Sequence, residues 1–416
     1  MLTAVARRYF VQGERIFDLS LVERLPKRTL LPLQRLGLDP VPGLRAARQR
    51  APITRLPVPF GLRAWLVTGY AAAKQVLADS DGYSTDFANL AGGALGSVSS
   101  PGGLGFADPP DHTRLRHLLT PEFTMRRLER LTPRVHEIVS GCLDAMAAHP
   151  GPVDLIRDFA LPIPSLVICE LLGVDYAERD TFQRLAMNRF NAHAGAAASL
   201  DAIGNSLSYL REVIERQRQE PADGLLGMII QEHGNEITNE ELAGLADGVL
   251  TGGFETTAST LALGALVLLE NPDAARRIAH DQTAVAPFVE ELLRYLSVVQ
   301  VAFPRFARRD TIVAGTSVHA GDVVVVSLSG ANRDPALADD IECVVPGRPP
   351  ISHLAFGHGI HRCVGAELAR TELRVAFPAL VRRFPTMRLA PAPQRVAFRP
   401  ASIVYGAERL DVLVDP

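Results

Sequence analysis

The chain has 416 residues, 47% of them hydrophobic and 21% charged, with a formal net charge of -3 and a sequence pI near 6.4. Such apolar content is ample for a packed core and excludes a disordered chain, and with no overall basic field nucleic acid is not an expected partner. Four irregularly spaced cysteines, Cys142, Cys169, Cys343 and Cys363, are too few for a disulfide framework and fit a reducing cytoplasm.

Residues 1–36 mix charged and apolar positions, and Arg7, Arg8, Glu14, Arg15 and Asp18 interrupt any signal-peptide core or membrane span. They are expected to form a surface helix, an N-terminal arm of unknown role. Residues 52–68 alternate apolar and polar positions around Pro59-Phe60-Gly61, predicting a hairpin before a helix over 70–78. Residues 81–107 form a Gly- and Ser-rich loop carrying Phe87, Leu90, Leu95, Val98 and Leu104, too long for an ordinary connection.

From 111 to about 296 the pattern is helical, with breaks at prolines 121, 152, 162, 164, 221 and 272. Thr238 and Glu241 form a capping box, and Asn271-Pro272 a stop, for a helix over 240–270 that would be ~45 Å long. A second sheet region follows at Ile312-Val313, Val318 and the run from Val323 to Val326, with turns at Gly315 and Gly321. After an irregular stretch over 336–352 come a helix over 364–383 and two short strands, 403–405 and 410–414. The fold class expected is mainly α with small β-sheets. No repeat or Gly/Ser linker divides residues 37–416, which predicts one domain.

The segment Phe356-Gly357-His358-Gly359-Ile360-His361-Arg362-Cys363-Val364-Gly365 carries the most specific chemistry. A thiolate that ligates iron must stay anionic and shielded, which backbone N–H groups and a helix N-terminus accomplish. Gly357 and Gly359 allow a tight bend, and Gly365 leaves room for a flat macrocycle. A thiolate ligand also pushes electron density onto iron and favours O–O cleavage. Within the long helix, Gly252-Gly253-Phe254-Glu255-Thr256-Thr257 is poor for helix stability. The glycine pair fits either a close helix crossing or a local widening that makes a groove for dioxygen. Glu255 and Thr256 are an acid and an alcohol suited to proton relay, with Thr257 as an alternative hydroxyl.

The pattern F-G-x-G-x-x-x-C-x-G resembles the haem-binding loop of the cytochrome P-450 family without a mismatch, and the likeness extends from residue 37 to the end. The resemblance implies a haem-thiolate monooxygenase with haem b between the long central helix and the cysteine-loop helix. Cys363 would be the axial metal ligand, with Phe356 and Gly365 beside the cofactor and O2 as co-substrate. Gly252, Glu255 and Thr256 match the A-G-x-[DE]-T motif, with Gly252 in place of the commoner Ala. Glu291 and Arg294 match the structural E-x-x-R pair, and Arg348 is its third partner. Asn332-Arg333-Asp334-Pro335 agrees with the family, but Val344 and Val345 stand where Phe and Asp are common. His112, Arg116, Arg305 and His361 match the residues that bind haem propionates.

A hydrophobic small-molecule substrate is expected against Phe87, Leu90, Leu95, Val98, Val298, Val299, Val301, Ile403 and Val404, with Asn89, Gln300 and Ser402 as polar contacts. The expected electron source is NAD(P)H through a separate ferredoxin and ferredoxin reductase. Arg114, Arg126, Arg127, Arg362, Arg370 and Arg374 are candidates for a basic docking patch. The alternatives are a peroxide-driven peroxygenase on the same fold, and a haem-binding sensor or carrier without turnover.

Overall fold

A computed structural model of the chain describes residues 28–58, 63–86, 103–189, 195–391 and 396–414. Most of residues 1–36, the turn at Pro59-Phe60-Gly61, and Phe87, Asn89, Leu90, Leu95 and Val98 lie outside these ranges.

The architecture grows around one helix, Asn239–Glu270. Thr238 Oγ1 accepts from Glu241 N at 3.2 Å while the Glu241 carboxylate accepts from Thr238 N at 2.9 Å, so the expected reciprocal cap is present. Beyond its first turns the helix is largely apolar and mostly buried between Leu242 and Leu268, apart from a more open stretch at residues 251–256. Among the described residues it is the one helix long and apolar enough to cross a membrane, and its burial makes it the core helix of this fold. Replacing Thr238 with alanine removes an exposed cap and should cost about 1 kcal/mol. Urea unfolding checks this, with an unchanged m-value expected.

Helices Met125–Ala148, Pro162–Leu172, Gln282–Leu296 and Ala366–Arg383 join the central helix in the main hydrophobic cluster. The approach of Ala366–Arg383 is close because Gly264 has no side chain: a Cβ there would lie 2.4 Å from the buried Phe377 ring.

A five-stranded sheet flanks this helical body, in the order Ile53–Leu56, Ala64–Val67, Val323–Val326, Arg305–Ala307, Tyr83–Ser84. The first two strands pair antiparallel with Ile53 opposite Val67, which confirms the strands of the expected hairpin. Val323–Val326 adds in parallel, Val323 opposite Ala64, and the expected helix over 70–78 is present as Tyr70–Ala78. Thr311–Val313 and Thr316–Val318 form the expected hairpin around Gly315, whose φ is +81°. The strand expected over 403–405 is only an isolated bridge between Val404 and Val299; the C-terminal strands are Ala397–Phe398, Ala407–Arg409 and Asp411–Leu413. Arg35 reaches Gln300 and the carbonyls of Leu296 and Ser297, so residues 28–36 pack onto the body.

Candidate active site

The cysteine loop is shaped by two glycines in the left-handed region, Gly357 at φ +70° and Gly359 at φ +73°. Gly359 also lies against the end of helix Tyr70–Ala78, where a Cβ would be 2.3 Å from Leu77 O. Cys363 N donates to Phe356 O at 2.9 Å, and helix Ala366–Arg383 starts three residues after the cysteine with Gly365 as N-cap. Cys363 is exposed, just ahead of that helix and within electrostatic reach of Arg116, Arg362 and Arg370. Burial pushes its thiol up, while the Gly365 N–H and the charges of Arg116, Arg362 and Arg370 pull it down. The balance at Cys363 is upward; Cys142 and Cys169, which unlike it are buried in the core, are pushed up to about 11 and about 12 by burial.

Arg370 lies with its guanidinium carbon 4.7 Å from the centre of the Phe356 ring and donates to Glu290 at 2.6 and 2.9 Å and to Glu367 at 2.6 Å. Burial raises Glu290, but His353 and Arg370 outweigh it and hold the carboxyl at about 2. Arg370 is therefore a support of the loop and no part of a free basic patch. Arg114 and Arg127 are likewise paired, with Glu241 and Glu122, and Arg374 lies 3.9 Å from Glu290, whereas Arg126 and Arg362 are exposed. The expected six-arginine patch is reduced accordingly.

On the central helix the backbone stays α-helical through Gly252 and Gly253, so of the two readings of the glycine pair the local widening is not found. The two glycines do different things. A Cβ on Gly253 would lie 2.9 Å from Ile168 Cδ1, a close helix crossing, while one on Gly252 would meet open space. Thr256 shares that open face and donates to Gly252 O at 2.6 Å; Thr257 is buried, which separates the two hydroxyls. Glu255, which burial pushes up, is ion-paired to Arg399, whose other amino group donates to Ser259 Oγ at 2.7 Å. Arg399 was not anticipated from the sequence, where nothing local to the Pro-rich tail signals a partner 144 positions away.

His112, Arg116, Arg305 and His361 come together beside the loop. The rings of His112 and His361 are 4.4 Å apart, and Arg116 and Arg305 both act electrostatically on the two histidines. His112 is 2% exposed, and neither ring nitrogen has a partner among the described residues. Arg305 is 4% exposed and donates to Phe303 O at 2.9 Å; burial lowers it to about 10, and no carboxylate lies within ion-pair distance among the described residues. Burial, Arg305 and His112 push His361 down to about 3. Asp108 acts electrostatically on His112, Arg305 and His361 but is ion-paired to Arg308, so the buried His112 and Arg305 with the half-buried Arg116 and His361 fit the carboxylates of a haem, because an unpaired buried polar group is costly.

Glu291 and Arg294 are not a solvated surface pair: they are 3% and 1% exposed and bonded at 2.7 and 2.8 Å. Arg348 completes the network, its Nε 3.1 Å from both Glu291 oxygens. Val344 and Val345 do not disturb it, because Glu291 is met there by a backbone group, Val345 N at 2.8 Å. Arg294 further donates to the carbonyls of Asn332, Ile341 and Cys343, tying this stretch to the helix that precedes the loop.

Of the expected substrate contacts, Ile403 is exposed, Val299, Val301 and Val404 are half-buried and Val298 is buried. Gln300 is withdrawn from that role: its fully buried amide is used by Arg35, Leu33 O and Ser402 O. Ser402 Oγ donates to Val404 O at 2.7 Å. A concavity of 580 Å³ elsewhere, over Cys142 and Cys169, contains none of the candidate residues, and its rim cations Arg134 and Arg157 are ion-paired.

The cytochrome P-450 family model matches residues 201–396 of this chain. Cytochrome P-450 165B3 of Amycolatopsis orientalis is 39% identical over 394 residues, spanning 92% of this chain and 98% of its own length. The cytochrome P-450 monooxygenase PikC of Streptomyces venezuelae is 38% identical over 384 residues, spanning 91% and 92%. Among solved structures, the P-450 StaH of glycopeptide antibiotic biosynthesis matches with a TM-score of 0.84 at 39% identity, over 93% of this chain and all of that one.

Proposed function

Because the chain belongs to the cytochrome P-450 family and is a haem monooxygenase, we propose that Cys363 ligates the haem iron and that the catalytic pair is Glu255 and Thr256. The observation that carries this reading is the convergence of an accessible sulfur at a helix N-terminus with the anion-seeking cluster of His112, Arg116, Arg305 and His361. The cofactor is read as haem b. When bound, it supplies activation of O2 and transfer of one oxygen atom to the substrate.

The protein's own residues then divide the work. His112, Arg116, Arg305 and His361 hold the propionates, while Phe356 and Gly365 shape the cysteine side. Gly252 leaves open space beside the central helix. Thr256 and Glu255 hold and pass protons there, which general acid–base groups do for about a 100-fold gain or more. The substrate is a small hydrophobic molecule resting against Val301 and Ile403. Electrons come from NAD(P)H through a ferredoxin and its reductase, docking near the exposed Arg126 and Arg362. Four free thiols fit a cytoplasmic enzyme. Residues 37–416 constitute the catalytic domain, with residues 1–36 as an arm of unassigned role.

Turnover with a surrogate ferredoxin and reductase tests this reading. NAD(P)H consumption should depend on O2, and one atom of labelled O2 should enter product. Glu255→Gln and Thr256→Ala should each lower the product-forming rate about 100-fold. Turnover with peroxide alone, indifferent to both substitutions, would favour the peroxygenase alternative.

A further inference from the structure

Residues 33–40 close on the body from the far end of the chain. Strands Arg35–Leu36 and Asp39–Pro40 pair antiparallel with Gly37 at φ +59° in the turn, and Arg35 meets the C-terminus of helix Gln282–Leu296. Its Nη2 donates to Leu296 O at 2.6 Å and to Ser297 O at 3.0 Å, where a helix leaves carbonyls without partners and a cation is favoured. Ser297 is a non-glycine residue in the left-handed region, at φ +39°, so the turn it makes is strained and must be held. Arg35 binds its carbonyl, and Asn332 Nδ2 donates to its hydroxyl at 2.8 Å.

The strained turn leads into residues 298–301, where Arg35 has a second hold. Its Nε donates to Gln300 Oε1 at 2.8 Å, and Gln300 Nε2 donates to Leu33 O at 2.9 Å and Ser402 O at 2.7 Å. Neighbours along an extended chain point to opposite faces, so fixing Gln300 toward residues 33–35 turns Val299 and Val301 the other way. Their backbones bridge to Val404 and to Ser327. The segment at 402–405 is held from the same place. The Arg35 guanidinium carbon lies 5.1 Å from the centre of the Tyr405 ring, the Tyr405 hydroxyl donates to Gly37 O at 2.7 Å, and Tyr405 N donates to Val298 O at 2.7 Å.

We propose that Arg35 is a positioning residue for substrate binding: with Gln300 it clamps the segments at 298–301 and 402–405 together, so the last residues of the N-terminal arm set the shape of the pocket wall. The inference rests on the reading of Val301 and Ile403 as substrate contacts. The residue type follows from the task. A planar guanidinium reaches the carbonyls of Leu38, Leu296 and Ser297, the Gln300 amide and the Tyr405 ring at once, whereas an ammonium is a point charge and cannot span them. Without it the Ser297 turn and the Gln300 oxygen lose their donor, and both segments relax together.

The test uses the haem-loaded full chain and two probes read in the haem spectrum. Imidazole is small enough to reach the iron without leaning on the wall; 4-phenylimidazole must rest its second ring there. Arg35→Ala should weaken 4-phenylimidazole about tenfold and leave imidazole within about twofold, the scale of a lost apolar contact in a pocket. Arg35→Lys, which folds with the charge kept, should still lose most of that selectivity. Amide hydrogen exchange should quicken together over 298–301 and 402–405 in Arg35→Ala. A merely structural residue would lower the melting temperature and leave the ratio of the two affinities in place, because the titration reads only folded, haem-bound protein; that result overturns the proposal. Val301→Phe checks the reading beneath it. If this variant binds 4-phenylimidazole as the parent does, the wall at Val301 is not the substrate's, and that reading fails. A blocked Val301→Phe beside an unaltered Arg35→Ala sinks only the role of Arg35.

Discussion

Cys363→Ala is expected to abolish the strongly red-shifted Soret band of the reduced protein with carbon monoxide, while Cys142→Ala leaves it intact. The band reports a thiolate opposite the gas, and Cys363 is the thiol that is accessible, at the start of a helix and among cationic side chains. Cys142 and Cys169 are held as neutral thiols in the core, and the exposed Cys343 has its carbonyl occupied by Arg294 in the stretch before the loop. Removal of an outer partner of a metal ligand typically costs about 10–100-fold in affinity or activity, and loss of the ligand itself should exceed that. Haem content and the difference spectrum, measured side by side, separate loss of the cofactor from loss of the thiolate. An unchanged band in Cys363→Ala would show that another residue holds the iron.

The largest stability effect is expected at Glu291. Its carboxylate accepts from Arg294, Arg348 and Val345 N in a region closed to solvent, so Glu291→Ala leaves Arg294 buried without its counter-charge and Arg348 with Asp340 alone. Breaking a buried pair in this way costs about 3–5 kcal/mol. Urea unfolding should show a markedly lower midpoint, together with weakened haem retention, because the same network ties down the stretch ahead of the cysteine loop. Arg348→Ala and the double variant complete a cycle, and strong non-additivity is expected for side chains in direct contact. A cost below about 1 kcal/mol for Glu291→Ala would mean that the pair behaves like a solvated surface bridge.

Much of the site was readable because its parts are local. The cysteine loop, its two positive-φ glycines and the following helix fall within 28 residues, Phe356 to Arg383, and the Thr238–Glu241 cap is a four-residue pattern. The hairpin strands at 53–67 and the helix Tyr70–Ala78 followed from alternation and periodicity in the same way. The expectations that failed depend on what lies opposite. Gln300 looked available for a substrate until Arg35, from the far end of the chain, was found on its amide. Arg370 looked like part of a docking patch until Glu290 was found against it. The Gly252-Gly253 pair was compatible with a widened helix or a close crossing, and Ile168 on a neighbouring helix decided for the crossing at Gly253.

The sequence by itself determined the family resemblance, the iron-ligand candidate, the acid–alcohol pair and the mostly helical class, because backbone conformation and short motifs are encoded by neighbours along the chain. Only the tertiary structure decided the ion pair of Glu255 with Arg399 and the lack of a partner for both ring nitrogens of His112 among the described residues, while Arg348 closes on Glu291 as the resemblance implied. Charge interactions depend on distance and burial in the folded molecule, and neither quantity has a period or a spacing that a sequence displays.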